Sequence, residues 1–276
     1  MEKKLLLFFA LFATCLFMQC TSGGEKSGGD SMAQFTDDPN FKSAHEKPEA
    51  IDFQGKGTMT EFPTPDGGTG RAYLLKPDNA ADKYLFVIHE WWGLNDQIKQ
   101  EAERLATELG DVTVMALDMY DGKLTDNPEE AGKLMNAVKP ERCEAIVKGA
   151  LAQAGESARV ATVGWCFGGG WSLRSSILAG QQGAGCVIYY GMPVEKASEL
   201  APLKADVLGI FAKKDGWINE KVVGNFTALT KATGKKFDVH WFDADHAFAN
   251  PSSPRYNEEA AQEANKMVLD FLRSKL

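Results

Sequence analysis

The sequence predicts one α/β domain, in which a mostly parallel central sheet is flanked by helices on both faces. Strand-like apolar runs alternate with amphipathic helical segments from about residue 58 to residue 275. Several runs are continuously apolar, which is typical of strands buried on both faces of a parallel sheet. The alternation shows no internal repeat, so we assign it to a single domain rather than to a repeat array.

The elements follow one another in a regular order. A "PDGG" turn separates two short strands within residues 58–75, and "YLFVIHE" is the first long strand. The helix "QIKQEAERLATELG" carries apolar residues at helical spacing and ends at Gly110. The later segments are, in order, the strand VTVMALD, the helices NPEEAGKLMNAV and PERCEAIVKGALAQA, the strand ARVATVGWC, the helix GGGWSLRSSILAG, the strands GCVIYYG and ADVLGIFAKKD, the helix EKVVGNFTALTKATG, the strand KFDVHWF and the helix NEEAAQEANKMVLDFLRSKL.

The composition is that of a globular protein and argues against one class of partner. Of the 276 residues, 44% are hydrophobic and 25% are charged, and the formal net charge is −8. No basic cluster occurs along the chain, so we do not expect it to bind nucleic acid. The sequence predicts no cofactor and no metal ion, and it leaves the oligomeric state open.

The first 20 residues differ in their sequence pattern from the rest of the chain. Two lysines precede an apolar run over residues 5–18, which is typical of a secretory signal and too short for a stable membrane span. Cys20 and a Gly/Ser-rich stretch follow, an arrangement that resembles a bacterial lipoprotein signal. We therefore expect a signal peptide over 1–19, lipidation at Cys20 with Cys15 as the rival, a flexible tether over 20–52 and the α/β domain over 53–276. A transmembrane anchor is the alternative.

This prediction places the mature protein outside the cytoplasm. The lipid would attach it to a bacterial membrane, on the periplasmic side or at the cell surface. The membrane would then be a partner through the N-terminal anchor alone.

The stretch "GWCFGGG" joins a strand to a helix and holds a single cysteine. A phosphate-binding loop would need a lysine where Trp171 follows the last glycine. The stretch matches instead the nucleophile elbow G-x-S-x-G, with Cys166 in the serine position and Gly164 and Gly168 as the two glycines. The helix that begins here favours a thiolate. A structural turn around a buried cysteine is the alternative.

Partners for the thiol lie at later strand ends. Asp215 ends the strand "VLGIFAKKD", and His246 follows the next strand, in the chain order nucleophile, acid, base. Ligands of parallel sheets bind beyond the carboxyl ends of the strands, so we expect these side chains to meet Cys166. The other histidines are not expected to act as the base: His45 in the tether, His89 next to Glu90 and His240 inside a strand.

Glu90 ends the first long strand, between a histidine and two tryptophans. Held among aromatic rings near the thiol, its carboxylate could accept the thiol proton. A solvated charge at a strand end is the alternative.

The motifs "HEWWG", "ALDMYDG", "GWCFGGG", "IYYG", "FAKKD" and "HAFAN" together resemble the dienelactone hydrolase family, over roughly residues 58–275. The resemblance implies an α/β-hydrolase fold and cleavage of an ester or lactone through a thioester. It makes Cys166 the nucleophile, His246 the general base and then acid, and Asp215 the group that orients the imidazole. A thioesterase or other acyl hydrolase, and a non-catalytic binding lipoprotein on the same scaffold, are the alternatives.

The resemblance also assigns the groups around this triad. Glu90 matches the glutamate that contacts the resting cysteine in that family. The backbone N–H groups of Trp91 and Phe167 would form the oxyanion hole. Aromatic side chains near the strand ends, Tyr120 and Trp217 among them, are expected to contact substrate.

Two arginines that hold the substrate carboxylate in family members acting on dienelactone are not matched here. Asn250 stands at the position directly after the "H-x-F-A" segment, and residues 105–141 contain no arginine. An amide in place of a guanidinium weakens binding of an anion. We therefore expect a small-molecule ester or lactone as substrate, with Asn250 among the residues that contact it, and leave its charge open.

Overall fold

One eight-stranded sheet forms the centre of the protein. The computed structural model describes residues 31–79 and 82–276, so the expected signal peptide, Cys15 and Cys20 lie outside the described residues. The strands are β1 (Thr58–Pro63), β2 (Thr69–Leu75), β3 (Lys83–Ile88), β4 (Thr113–Leu117), β5 (Arg159–Trp165), β6 (Gly183–Tyr189), β7 (Asp206–Ala212) and β8 (Phe237–Phe242).

The spatial order of the strands is β1-β2-β4-β3-β5-β6-β7-β8. Strand β2 is antiparallel to both β1 and β4, and every pairing from β4 to β8 is parallel. Ile88 near the end of β3 is level with Gly164 in β5, and Trp165 at the end of β5 is level with Tyr189. The residues that follow β3 and β5 therefore lie side by side at one edge of the sheet.

Eight α-helices accompany the sheet over residues 31–79 and 82–276, and every helix that the sequence predicts is present. They are α1 (Pro39–Ser43), α2 (Asp96–Leu109), α3 (Pro128–Ala137), α4 (Pro140–Ala154), α5 (Phe167–Ala179), α6 (Ala197–Leu200), α7 (Glu220–Ala232) and α8 (Glu258–Lys275). Short 3₁₀ turns cover Ser31–Phe35 and Gly180–Gln182. The predicted single α/β domain with a mostly parallel sheet is confirmed.

Polar residues at the helix ends explain why the helices begin and end where they do. The asparagines before α2, α3, α7 and α8 each accept a hydrogen bond from a backbone N–H of the first turn. Gly110 ends α2 with a φ of 76°, a conformation that glycine adopts without strain. Across the described ranges, 31–79 and 82–276, no helix combines the length and apolarity needed to cross a membrane.

The structure differs from the sequence prediction at residues 31–45. These residues were expected to belong to a flexible tether, yet they form a 3₁₀ turn and helix α1, and they pack onto the domain. Met32 and Phe41 are fully buried. Helix α1 has five residues, little more than one turn, so its sequence contains no periodic pattern from which a helix could be predicted. For residues 31–45 the expectation of a flexible tether is therefore wrong.

The turn from β5 into α5 depends on two glycines. A Cβ on Gly164 would collide with the carbonyl oxygen of Gly168, and a Cβ on Gly168 would collide with that of Ile88. Only hydrogen side chains let helix α5 start this close to β3 and β5. This is the steric reason for the two glycines of the elbow motif.

We expect Gly168→Ala to destabilise the protein by about 1–3 kcal/mol, because backbone must move to admit the methyl group. Gly224→Ala is the matched control, since Gly224 lies inside α7 with open space around its Cβ position. That variant should stabilise the fold by about 0.5–1 kcal/mol through helix propensity. Chemical denaturation measures both, and equal effects would contradict the steric argument.

Candidate active site

Cys166 lies between β5 and α5 in a strained backbone conformation. Its φ is 54° and its ψ is −116°, values that residues with a side chain rarely adopt. Its N–H donates to Tyr189 O at 3.0 Å, and its carbonyl accepts from Gly169 N at 3.0 Å, so both neighbouring elements hold the turn. The side chain is 1% exposed. The thiol is thus held at the edge of the sheet and is buried by neighbouring residues.

Asp215 and His246 form a buried hydrogen-bonded pair. Oδ1 of Asp215 accepts from the backbone N–H groups of Trp217 and Ile218, both at 2.9 Å. Its Oδ2 lies 2.6 Å from Nδ1 of His246. Although burial opposes its charge, the His246 ring and these amides hold the pKa of Asp215 below its usual value. An ionised Asp215 accepts the Nδ1 proton of His246, which leaves a lone pair on Nε2.

The thiol and the imidazole meet as the sequence predicts. Sγ of Cys166 and one ring nitrogen each of His45 and His246 lie within 4.8 Å of one another. Since Nδ1 of His246 faces Asp215, Nε2 is its nitrogen available to the thiol. Within the described part of the chain, Nε2 of His246 is buried with no hydrogen-bond partner. The structure therefore brings Cys166, His246 and Asp215 together.

His45 is a neighbour of the thiol that sequence reasoning missed. Its Nε2 lies 3.8 Å from Sγ of Cys166, and its Nδ1 lies 2.7 Å from the carbonyl oxygen of Phe41. Because a carbonyl only accepts, Nδ1 carries the proton and Nε2 presents a lone pair. Burial, with a smaller effect of nearby His246, lowers the pKa of His45 to about 3, so the ring is neutral. No spacing signal in the expected tether pointed to this contact.

Phe41 of α1 covers the catalytic region. Its ring packs edge-on against Trp91 at 5.5 Å and against Trp217 at 5.2 Å, and it lies 6.3 Å from the His246 ring. Asp38 before α1 accepts a hydrogen bond from Nε1 of Trp217 at 3.0 Å. Residues 31–45 thus form a cover over the thiol and the imidazole, and we call them the N-terminal cover.

Glu90 is buried next to this group. It is 5% exposed, and burial raises the pKa of its carboxyl to about 7, opposed by the hydrogen bond from Asn250 and by His246. Nδ2 of Asn250 donates to Oε2 of Glu90 at 2.6 Å. Oε1 is buried without a hydrogen-bond partner among residues 31–79 and 82–276. Glu90 is therefore not a solvated charge at a strand end, and its functional role stays a prediction.

Asn250 is oriented by its own loop. Its Oδ1 accepts from the backbone N–H of Ser252 at 2.9 Å and from the Ser252 hydroxyl at 2.7 Å. With the oxygen thus engaged, the amide nitrogen faces Glu90. A neutral donor therefore contacts the glutamate where family members acting on dienelactone carry an arginine.

His89 is held in a structural role beside Glu90. Its Nδ1 lies 2.6 Å from the carbonyl oxygen of Glu90, and its Nε2 accepts from Met119 N at 3.1 Å. The ring stacks on Phe167 at 5.6 Å. Both nitrogens are engaged, so His89 packs under the site as the sequence predicts.

The two residues expected to supply the oxyanion hole occupy adjacent strand ends. Phe167 is the first residue of α5, and Trp91 follows Glu90 after β3. Parallel pairing of β3 with β5 sets these two ends next to each other. Their role as the oxyanion hole stays a prediction.

The aromatic residues expected to contact substrate occupy different places. The Trp217 ring lies 6.0 Å from the His246 ring, beneath Phe41. Tyr120 packs 5.1 Å from Phe167 and lines a separate cavity of about 170 Å³. Of the two, Trp217 is the one whose ring is found beside His246 in the described part of the chain.

A cavity of about 330 Å³ reaches the site from the side of α2. Glu90, Trp165 and Asn250 form its inner end, and Arg104 lines its wall. Arg104 donates from Nε and Nη2 to the carboxylate of Glu101, at 2.8 and 2.6 Å. The guanidinium is thus already paired with a carboxylate of the same cavity.

Comparisons with known proteins identify the family of the chain. The Dienelactone hydrolase family matches residues 71–276. Protein usf from Aquifex pyrophilus is 29% identical over 80% of this chain and 99% of its own length. Carboxymethylenebutenolidase 1 from Cupriavidus pinatubonensis is 26% identical, over 77% and 94% of the two chains.

The fold is shared with solved structures of lower identity. The dienelactone hydrolase-like promiscuous phosphotriesterase P91 from metagenomic libraries superposes with a TM-score of 0.68 at 20% identity, over 80% of this chain and 99% of that one. The central sheet and its helices therefore form an α/β-hydrolase fold. The chain is an enzyme of the carboxylic ester and lactone hydrolase class, and it belongs to the dienelactone hydrolase family.

Proposed function

We propose that this protein hydrolyses ester or lactone bonds through Cys166, His246 and Asp215. The observation that carries the proposal is the buried 2.6 Å contact between His246 and Asp215, with the Cys166 thiol within 4.8 Å of a His246 ring nitrogen. A nucleophile, a base and a group that orients the base are the parts that covalent acyl transfer requires. A binding protein without catalysis would not need all three to converge.

The chemistry follows from the positions of these groups. His246 Nε2 takes the Cys166 proton as sulfur bonds to the carbonyl carbon, and the amides of Phe167 and Trp91 stabilise the oxyanion. The C–O bond then breaks, the leaving oxygen receives the proton from His246, and a thioester remains. Water attacks the thioester, His246 accepts its proton, and the acid leaves as Cys166 regains a hydrogen.

Cys166→Ala and His246→Ala should each lower kcat/KM for small aryl esters by about 1,000-fold or more, because neither half of a nucleophile–base unit acts alone. The measurement is release of the phenol at saturating and limiting ester. Acid quenching followed by mass spectrometry should find the acyl group on the peptide that contains Cys166. Rates equal in wild type and both variants would contradict every hydrolase function.

Glu90→Gln tests the role of the carboxyl in the same assay. We propose that ionised Glu90 helps to remove the thiol proton, and its pKa of about 7 allows that near neutral pH. The ratio of wild-type to Glu90→Gln activity should therefore grow as the pH rises through about 7, where the wild-type carboxyl becomes charged. A ratio that stays constant with pH would assign Glu90 a packing role.

The substrate is proposed to carry no charge near the scissile bond. Where family members acting on dienelactone bind a carboxylate with arginines, this site offers Asn250, and the nearby Arg104 is neutralised by Glu101. Glu90 adds a carboxyl to the same cavity. An anionic substrate would lose its hydration there without gaining a cation.

Two aryl esters of equal length, one ending in a carboxylate and one in a primary amide, test this preference. The neutral ester should show a kcat/KM higher by about tenfold or more, equivalent to ~1.4 kcal/mol in the transition state. Equal values, or a preference for the anion, would contradict the proposed substrate class while leaving the hydrolase chemistry intact.

We further propose that lipid on Cys20 anchors the protein outside the cytoplasm, on the strength of the apolar run and the cysteine that follows it. In a bacterial host fed a labelled fatty acid, label should follow wild type and Cys15→Ala and disappear with Cys20→Ala. Label lost with Cys15→Ala instead would move the attachment site. An unlabelled wild type would contradict lipid anchoring.

A further inference from the structure

We propose that His45, Cys166 and His246 form a binding site for a thiophilic divalent cation such as Zn²⁺, and that the bound cation holds the hydrolase in a closed, inactive state. Three possible ligand atoms, one from each residue, lie within 4.8 Å of one another. A thiolate and two imidazoles are ligands that Zn²⁺ prefers, and three protein ligands with an open fourth position are a common zinc arrangement.

The hydrogen bonds of the two imidazoles point to this site independently of the distances. Nδ1 of His45 is bound to the carbonyl of Phe41, and Nδ1 of His246 is bound to Asp215. Histidines that bind metals show this second contact, which fixes the tautomer and turns the Nε2 lone pair toward the ion. Both rings are therefore set as metal ligands.

A single thiol proton does not satisfy the lone pairs that converge here. Cys166 has one hydrogen on sulfur, whereas His45 and His246 each present Nε2 as an acceptor. Among the described residues, buried Nε2 of His246 has no hydrogen-bond partner. A buried acceptor without a donor is unfavourable, and a cation satisfies both nitrogens and the sulfur at once.

The distances between the three ligand atoms and the charges of the site can be compared with those of a tetrahedral zinc site. Tetrahedral zinc with its usual bond lengths sets ligand atoms about 3.3–3.6 Å apart. The 3.8 Å between Nε2 of His45 and Sγ of Cys166 is close to this, and from the 4.8 Å limit the other pairs contract by about 1.5 Å at most. On binding, the thiol proton leaves to solvent as sulfur bonds to zinc, and the two charges of the ion are balanced by the thiolate and Asp215.

The consequence is reversible inhibition. Zinc on sulfur and on Nε2 occupies the nucleophile and the base together, and it ties His45 of the N-terminal cover to the sheet edge. A metal-bound thiolate is also shielded from oxidants, which matters for a protein expected to work outside the cytoplasm. Removal of the ion by a chelator returns the site to its hydrolytic form.

Zinc titration of the full-length, reduced protein against a chromophoric chelator tests the site. Wild type should bind one Zn²⁺ per chain, and His45→Ala and His45→Gln should each weaken binding by about tenfold or more, since one of three ligands is lost. His240→Ala is the matched control. His240 lies on β8, and its ion-pair partner among the described residues is Asp238. It should bind like wild type.

Cobalt supplies a second measurement that a merely structural role of His45 would not affect. Co²⁺ added to wild type should produce a near-ultraviolet thiolate-to-cobalt band, which Cys166→Ser removes and which His45→Gln weakens or shifts. Zn²⁺ should also slow alkylation of Cys166 by iodoacetamide in wild type more than in His45→Gln. Zinc affinity and cobalt spectra unchanged in both His45 variants, or no bound zinc in wild type, would overturn the proposal, whatever the hydrolase assay shows.

Discussion

The close approach of β5 and α5 at the elbow is the constraint on which the active site depends. A turn of one residue, Cys166 with its φ of 54°, reverses the chain direction from strand to helix. That geometry is stable only because Gly164 and Gly168 bring backbone against backbone without side chains between. The same turn sets the thiol, the start of α5 and the end of β3 within reach of one another. The remaining catalytic groups are arranged around this fixed point.

Those groups reach the elbow through the parallel register of the sheet. Strand β7 pairs with β6 and β8 pairs with β7, all parallel to β5, so the loops after β7 and β8 bring Asp215 and His246 to the edge at which β5 ends. Two backbone amides and the imidazole keep Asp215 charged in a buried place, and the charge in turn fixes the tautomer of His246. The pKa of Glu90 is raised by burial, because the hydrogen bond from the neutral amide of Asn250 does not offset the carboxylate's loss of hydration. The pKa values of the two carboxyl groups are thus shifted in opposite directions because their partners differ.

The parts of this site that the sequence predicts are those set by local rules. The elbow follows from glycine spacing, and the strand-end positions of Asp215, His246 and Glu90 follow from the alternation of strands and helices. His45 could not be found in this way. It contacts Cys166, which lies 121 residues later in the sequence. His45 follows the five-residue helix α1, whose sequence has no detectable helical period. For Tyr120, whose strand-end position predicts a contact with substrate, the ring packs against Phe167 and lines a different cavity, and the contact stays a prediction.

The N-terminal cover changes how the affinity for substrate must be understood. Cys166 and His246 are each 1% exposed, so an ester that approaches from the side of the cover reaches the thiol only when the cover moves. Lifting the buried Phe41 ring into water costs about 1.5–3 kcal/mol, to which the hydrogen bond between Asp38 and Trp217 adds. A competent state that lies this far above the closed one weakens apparent binding by roughly 10- to 100-fold. Any ligand that bridges the cover and the sheet edge deepens the closed state, whereas a substrate that takes the place of the Phe41 ring recovers part of that energy.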